Sequence, residues 1–341
     1  MGNGRPLRVV WPDVNKVAVE EFEPSLPQPN EVLLKAHNTL ISPGTERGWL
    51  SGKLSFPDGT GWGFPFFPGY SFAGQVIAIG SAVTEFKPGD RVVTGAMGCG
   101  CHASHVVVNE NMVHHVPDEV DFESAVFFNL ADVAMMGLRR ARVELGESVA
   151  ILGQGPIGLL AVQLARLTGA APVIAFDLDE SRLARSKALG ADFAVNAADH
   201  SQIAKVLGGI EGKAPAVVLE LTARPEGLDL ALQIVKAQGR IIMLSACDAP
   251  YTADLHAGLF MKSASLTGLF VGVRPRVDSQ PGVWTAHDDT RAFMQFLKTG
   301  RVDAKSLITE RRDVRDAPEA YSRLLSGDPG FIGCLLDWTS V

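Results

Sequence analysis

Only four cysteines occur in the 341 residues, at Cys99, Cys101, Cys247 and Cys334. They are too few and too scattered for a disulfide scaffold, so a reducing, cytoplasmic setting is expected. No apolar run reaches membrane-spanning length unbroken. The longest, IGLLAVQLARLTGAAPVIAF, is interrupted by Gln163, Arg166 and Pro172 and divides into a helix and a strand, so no membrane span is expected. A basic excess is also missing. The net charge of −7 supplies no electrostatic footprint for nucleic acid or an anionic membrane, which leaves a small-molecule substrate as the expected partner. The N-terminal MGNGRPLRVVWPDVNKV has neither an apolar core nor a small-residue cleavage site, so no secretory signal is expected. Gly2 is not followed by the Ser or Thr of a myristoylation signal, and no repeats or low-complexity tracts appear.

The composition that is present, 46% hydrophobic and 20% charged, fits a globular chain long enough for two domains. The first part is β-rich. EVLLKAHNTLI (31–41), FAGQVIAIG (72–80), DRVVTGA (90–96) and ASHVVVNENMVHHV (103–116) are short and β-branched, separated by turns such as Lys87-Pro88-Gly89-Asp90. From about Asp121 the spacing turns helical in FESAVFFNLADVAMMGLRRARV. Strands and helices then alternate from SVAILG (148–153) through PIGLLAVQLARLT, PVIAFD, SRLARSKALG, FAVN, AVVLELT (216–222) and LDLALQIVKA to RIIMLSA (240–246). Runs that are apolar on both faces predict a parallel sheet covered by helices on each side. Beyond about Gly272 the rhythm stops. HDDTRAFMQFLKTGRV predicts one amphipathic helix and GFIGCLLDW a closing strand.

The strongest motif is Gly153-Gln154-Gly155-Pro156-Ile157-Gly158, which follows an apolar strand and opens a helix. Gly153 suits the tight turn, Gly155 leaves room for a pyrophosphate against backbone N–H groups, and Gly158 permits close helix–strand packing. The next strand ends in Asp177, placed for a carboxylate that bonds adenosine ribose hydroxyls and repels a phosphate there; NAD is therefore expected in preference to NADP. Arg182 can stack on adenine or swing to admit NADP. Thr222 and Ser245, where AVVLELT and RIIMLSA finish, complete the candidate cofactor contacts.

Taken with these motifs, EVLLKAHNTLISPGTE, FPGYSFAGQVIAIGSAVTEFKPGDRV, HASHVVVNENMVHHVPDEV and VVLELTARPEGLDLALQIVKAQGRIIML resemble, in order, the medium-chain dehydrogenase/reductase superfamily, relatives of zinc alcohol dehydrogenases and quinone reductases. The resemblance implies an α/β protein. A GroES-like β-rich catalytic domain would be made from residues 1–129 and 273–341, with a Rossmann NAD(P)-binding domain over 130–272, an active site in the cleft between, and a homodimer formed through the edge of the nucleotide-binding sheet.

Zinc-dependent members of that superfamily carry a cysteine where this chain has Ser42, Gly-His-Glu where it has Gly69-Tyr70-Ser71, and a third ligand near Asn129. All are poor zinc ligands here, and the four-cysteine structural lobe is absent, so neither a catalytic nor a structural zinc is expected. Cys99, Cys101, His102 and His105 do not have paired C-x-x-C spacing; the cysteines are expected to pack and His102 to face the cleft. Hydride reduction of a carbonyl leaves negative charge on oxygen, which without a metal needs a hydrogen-bond donor able to exchange a proton. The candidates are Tyr70, His102, Thr45, Glu46 and Asn129. Trp49, Trp62, Phe64, Phe66 and Phe67 can build an apolar wall for a substrate or serve as core. The loop Ile41-Ser-Pro-Gly-Thr-Glu-Arg47 is similar to that of bacteriochlorophyllide hydroxyethyl dehydrogenase-like enzymes, which implies a secondary alcohol or ketone on a sizeable or polyol-like substrate. A quinone or enoyl reductase, or a non-catalytic cofactor-binding protein, is the alternative.

Overall fold

The computed structural model describes residues 5–54, 63–95, 98–209, 214–245, 252–278 and 283–341. Gly2, Trp62 and Cys247 therefore lie outside the described residues. The chain divides into two compact units: Met1–Asn129 with Pro275–Gly300 and Ala304–Val341, and Leu130–Arg274 with Arg301–Asp303.

In the first unit β1 (Leu7–Asp13) and β2 (Lys16–Glu21) pair with each other. The main sheet is organised by β3 (Glu31–Ile41), whose eleven residues are long enough to serve three neighbours. Its burial alternates through Val32, Leu34 and Ala36, then becomes continuous from Asn38 to Ile41. The helix α1 (Pro43–Leu50) follows directly, with Ser42 at its N-cap and Pro43 in its first turn. Next come β4 (Phe72–Ile79), β5 (Arg91–Thr94), β6 (His105–Asn109), β7 (Val113–His115) and α2 (Phe122–Ala125). The continuous strand expected over 103–116 is split, because residues 110–112 form a 3-10 turn whose start is capped by Asn109 accepting from the Asn111 amide at 3.2 Å. The helical stretch after Asp121 is likewise two helices, α2 and α3 (Phe128–Ala141).

The second unit contains β8 (Val149–Leu152), α4 (Pro156–Leu167), β9 (Val173–Asp177), α5 (Glu180–Ala188), β10 (Phe193–Asn196), α6 (His200–Gly208), β11 (Val217–Glu220), α7 (Pro225–Ile234), β12 (Arg240–Met243) and β13 (Ser265–Gly268). All six strands are parallel, in the order β10-β9-β8-β11-β12-β13. This is the doubly wound arrangement, with the direction of strand addition reversing between β8 and β11. Complete burial of β8 and β11 matches their apolar composition, interrupted only by Glu220 at the end of β11. Leu152, Ile174, Phe176, Val218, Leu228 and Ile241 share one core cluster, and full burial of each such side chain contributes about 1.5–3 kcal/mol. Arg274 and Asp132, near the two ends of the main segment, form a buried ion pair at 2.5 Å. Asp303 joins this unit through reciprocal bonds with the buried Gln163 amide, at 2.7 and 3.2 Å.

The chain then returns to the first unit with α8 (Ala286–Lys298), β14 (Ile308–Asp313), α9 (Ala317–Ser326) and β15 (Gly333–Asp337). A capping box between Thr285 and Asp288 starts α8, as its amphipathic spacing predicts. Strand β14 and helix α9 go beyond the sequence reading. The main sheet runs β14-β15-β3-β4-β5-β7, with β6 also on β3; β14 and β15 are parallel and the other pairs antiparallel. Its core gathers Trp11, Leu34, Phe66, Phe72, Tyr321 and Trp338. Among the described residues no helix is long and apolar enough to cross a membrane.

Candidate active site

In the first unit, the turn before β4 carries Tyr70 and the start of α1 carries Ser42, Thr45 and Glu46. Gly69 is left-handed at φ 97°, and a Cβ there would stand 2.5 Å from the backbone nitrogen of His102. That close approach lets the carbonyls of Pro68 and Gly69 accept the amides of His102 and Cys101, each at 3.0 Å. Ser42 occupies an N-cap position, yet its hydroxyl does not cap the helix; it accepts the phenol of Tyr70. The Ser42 amide instead donates to Glu46 Oε1 at 2.9 Å, placing a carboxylate at the positive end of α1.

Glu46 is only 1% exposed. Its Oε2 accepts the hydroxyl of Tyr321, from α9, and meets His102 Nε2 at 3.2 Å. The other ring nitrogen of His102 lies 2.8 Å from Thr39 Oγ1, which also accepts Trp338 Nε1–H at 3.1 Å. His102, expected to face the cleft, has no exposed surface and turns its ring to Thr39 and Glu46. Both ring nitrogens are committed to protein partners. Glu46 likewise turns to Ser42, His102 and Tyr321 rather than to its neighbour Arg47.

Tyr70 is half-buried. Burial first, and then the charge of Glu46, push its phenol up to about 12, against the opposing effect of hydrogen bonds with Ser42 and Thr45. It is therefore neutral throughout the physiological range. Asn129 approaches from the start of α3, its amide donating to the Tyr70 carbonyl. Ser71 is buried, and among the described residues its hydroxyl has no hydrogen-bond partner. Tyr70, Thr45, Glu46, His102 and Asn129 thus share one neighbourhood, but by roles that differ: Tyr70 and Thr45 offer hydroxyls, whereas Glu46, His102 and Asn129 are spent on holding the scaffold. Tyr321 was not foreseen. It lies on a helix the sequence reading did not assign, and only the folded topology brings it to Glu46.

The side chains at the metal-ligand positions do not fit a zinc ion. Ser42 and Tyr70 bond to each other, and Ser71 and Asn129 offer a hydroxyl and an amide, with no thiolate, imidazole or carboxylate among them. The two zinc-type donors nearby, Glu46 and His102, face one another in the interior. Cys101 is in the hydrophobic core and Cys99 packs against it, while His105 bonds Ser104 at 3.0 Å. Among the described residues no group of three or more His, Cys, Asp or Glu could hold a metal ion. The aromatic set divides too. Phe66 is core, its ring tilted against that of Trp11 with centroids 5.3 Å apart, whereas Trp49 stands between Phe66 and Tyr70 at 6.1 and 6.5 Å. Phe67 lies under the Arg8 guanidinium, 3.9 Å away, and Phe64 is exposed.

In the second unit the glycine turn leaves β8 at the reversal point of the sheet. Gly153 is left-handed at φ 93°, and a Cβ on Gly158 would sit 2.0 Å from the Gly153 carbonyl oxygen. Open space surrounds Gly155 where a side chain would be, and Pro156 starts α4. This leaves the helix N-terminus accessible to an anion. Gln154 is buried and faces inward, donating to the Ile151 carbonyl at 2.8 Å and accepting from Ser186 at 2.9 Å. Ile157 is half-buried in the first turn of α4. Asp177 Oδ2 accepts the Gln154 amide at 2.6 Å, and Oδ1 accepts those of Leu178 and Asp179 at 2.8 and 2.9 Å. A carboxylate has about four acceptor sites, so roughly one remains for a ribose hydroxyl. Arg182 is half-buried in the first turn of α5, near the charge of the capping residue Asp179. Thr222 and Ser245 do not present their protons outward; both hydroxyls donate to Glu220, a buried acid absent from the candidate set.

Residues 28–118 match the profile of the alcohol dehydrogenase GroES-like domain, and residues 156–285 that of the zinc-binding dehydrogenases. The chain belongs to the medium-chain dehydrogenase/reductase superfamily. Sorbitol dehydrogenase of Bos taurus is 28% identical over 342 residues, covering 91% of this chain and 90% of the relative. Among solved structures, 2R,3R-butanediol dehydrogenase from Bacillus subtilis superposes with a TM-score of 0.81 at 22% identity, covering 97% of this chain and 99% of that one. Galactitol-1-phosphate dehydrogenase from Escherichia coli gives 0.83 at 22% identity, with coverage of 97% and 99%. As a medium-chain dehydrogenase/reductase the protein is an oxidoreductase. The two units are the GroES-like domain and the Rossmann domain of that superfamily.

Proposed function

We propose that this member is a zinc-independent, NAD(H)-dependent dehydrogenase that interconverts a secondary alcohol and a ketone on a polyol-like or otherwise sizeable substrate. The observation that carries this reading is the replacement of a metal donor set by the hydrogen-bonded hydroxyls of Ser42, Thr45 and Tyr70. When bound, the nicotinamide supplies or accepts the hydride. The chain's own task is then at the substrate oxygen. Tyr70 is the donor there, its hydroxyl turning from Ser42 to the substrate oxygen: its proton is retained across neutral pH, and a neutral phenol stabilises a developing alkoxide by hydrogen bonding. Ser42 and Thr45 orient that phenol. His102 has no ring nitrogen left for a substrate and acts as a positioning residue through Glu46. Asp177 favours NAD(H), since a phosphate on the ribose would meet its charge. The polyol-like substrate is supported by the names of the relatives, sorbitol and galactitol-1-phosphate dehydrogenases. Likeness of the Ile41–Arg47 loop to the hydroxyethyl dehydrogenases supports a secondary alcohol.

Turnover of a panel of polyols and secondary alcohols with NAD⁺, measured after dialysis against a chelator, tests the proposal. Undiminished turnover with sub-stoichiometric zinc is expected. A full equivalent of zinc whose removal abolishes turnover would overturn it, as would activity confined to quinones or enones with NADPH.

A further inference from the structure

Strand β11 ends in a carboxylate that is 1% exposed, and every hydrogen-bond partner of Glu220 among the described residues is neutral. Burying such a group is costly unless several donors converge on it. Here they do. Oε1 accepts the Thr222 amide at 2.7 Å together with the Thr222 hydroxyl, and Oε2 accepts the Ser245 hydroxyl at 2.9 Å. The two hydroxyls then serve as acceptors in turn: Ser245 for the Ala223 amide at 2.9 Å and Thr222 for the Arg224 amide at 3.2 Å. Three successive amides, 222 to 224, thereby point into the cluster, with Ala223 held left-handed at φ 57°. The glycine turn rests on the same loop. A Cβ on Gly153 would lie 3.2 Å from the Leu221 carbonyl and 3.3 Å from the Thr222 nitrogen.

We infer that Glu220 is a positioning residue for the dinucleotide, locking the segments after β11 and β12 into one rigid support against the glycine turn. This rests on the NAD(H) reading above. An ionised carboxylate suits the task because it only accepts, so it can bind three donors from two loops at once. A glutamine would set its own N–H₂ against one of them.

Fluorescence titration with NADH, without any substrate, tests the assignment. Glu220→Gln is expected to raise the NADH Kd about tenfold, with the far-UV circular dichroism unchanged at the same temperature. Ser245→Ala is expected to raise it about threefold, and the double variant less than the product of the two. Arg240→Met, at the opposite end of β12 and paired with Glu147, serves as the control: its Tm falls while the Kd stays. A folded Glu220→Gln protein with lowered Tm and wild-type Kd would overturn the assignment, leaving Glu220 a purely structural acid. If Glu220→Gln does not fold, unchanged Kd in both Ser245→Ala and Thr222→Val overturns it equally. An unmodified protein that binds neither NADH nor NADPH removes the nucleotide reading itself, and the inference falls with it.

Discussion

Replacing Tyr321 by Phe deletes a single hydroxyl and keeps the ring that packs edge-on 5.6 Å from Trp11. What is lost is the hydrogen bond to the buried Glu46 carboxylate. A hydrogen bond to a charged group contributes about 1.5–3 kcal/mol, so the variant should be less stable by that amount at pH 8. The deficit should also depend on pH. Burial, reinforced by Glu46, raises the Tyr321 phenol well above its ordinary 10.0. A group whose pKa is raised on folding contributes stability that is fully present below its unfolded value and is lost as the pH climbs towards the folded one. Above about pH 10 the unfolded wild-type chain releases this proton, and the folded state on that account loses roughly 1.4 kcal/mol of stability per pH unit. Tyr321→Phe has no such proton, so its deficit should shrink at that rate above pH 10 and largely vanish between one and two units higher. Urea unfolding followed by tryptophan fluorescence from pH 8 to 11 measures both quantities, since Trp11 and Trp338 lie in the same core. A deficit that is absent at pH 8, or that stays constant up to pH 11, would refute the account of the Glu46 cluster.

Tyr70→Phe should lower kcat by about a hundredfold or more while leaving the NADH Kd unchanged, whereas His102→Gln should shift Tm more than kcat; the reverse pattern in steady-state kinetics would exchange their roles. Asp177→Asn should weaken NADH more than NADPH in parallel titrations, and an unchanged ratio would remove Asp177 from cofactor choice. Lys262 donates to the carbonyls of Leu232, Gln233 and Val235 at 2.7, 2.7 and 3.0 Å, closing the end of α7. Lys262→Met should therefore cost about 1–2 kcal/mol and speed hydrogen exchange in the last turn of that helix. Strand β13 ends the nucleotide-binding sheet, and Phe260, Met261, Phe270 and Val273 on either side of it are exposed. A homodimer by light scattering, converted to monomer by Phe260→Glu or Met261→Glu, is the expected outcome.

Legibility from sequence followed distance along the chain. The glycine turn, the strand before it, the helix after it and Asp177 lie within about 30 residues, and backbone geometry alone relates them. The strand–helix alternation was legible for the same reason, since each β-α-β unit is built from neighbours. What escaped were contacts with no local signature. Glu220 reads as the end of an apolar strand, and nothing nearby announces that Ser245 will meet it. Tyr321 meets Glu46 from 275 positions away. In the C-x-C-H segment the packing of the cysteines was legible from their spacing, but not the Gly69 turn that draws His102 inward to Thr39 and Glu46. Ser42, Tyr70 and Ser71 could be noticed only as departures from a family pattern, and the bond between Ser42 and Tyr70 is visible only once β4 and α1 are in place.

The pairing of β15 with β3 carries a consequence for how the protein is made. Ribosomes add roughly 5–20 residues per second, so the 275 positions between Glu46 and Tyr321 occupy tens of seconds. Throughout that interval the Rossmann unit can complete itself, because its strands arrive in sequence. The GroES-like unit cannot. Until residues 308–341 emerge, the Asn38–Ile41 edge of β3 has no β15 beside it, and Glu46 has no Tyr321. The nascent chain must therefore carry an unpaired, strand-shaped edge for most of its synthesis, which makes the half-built first unit the stage at which chaperones or aggregation would compete for it.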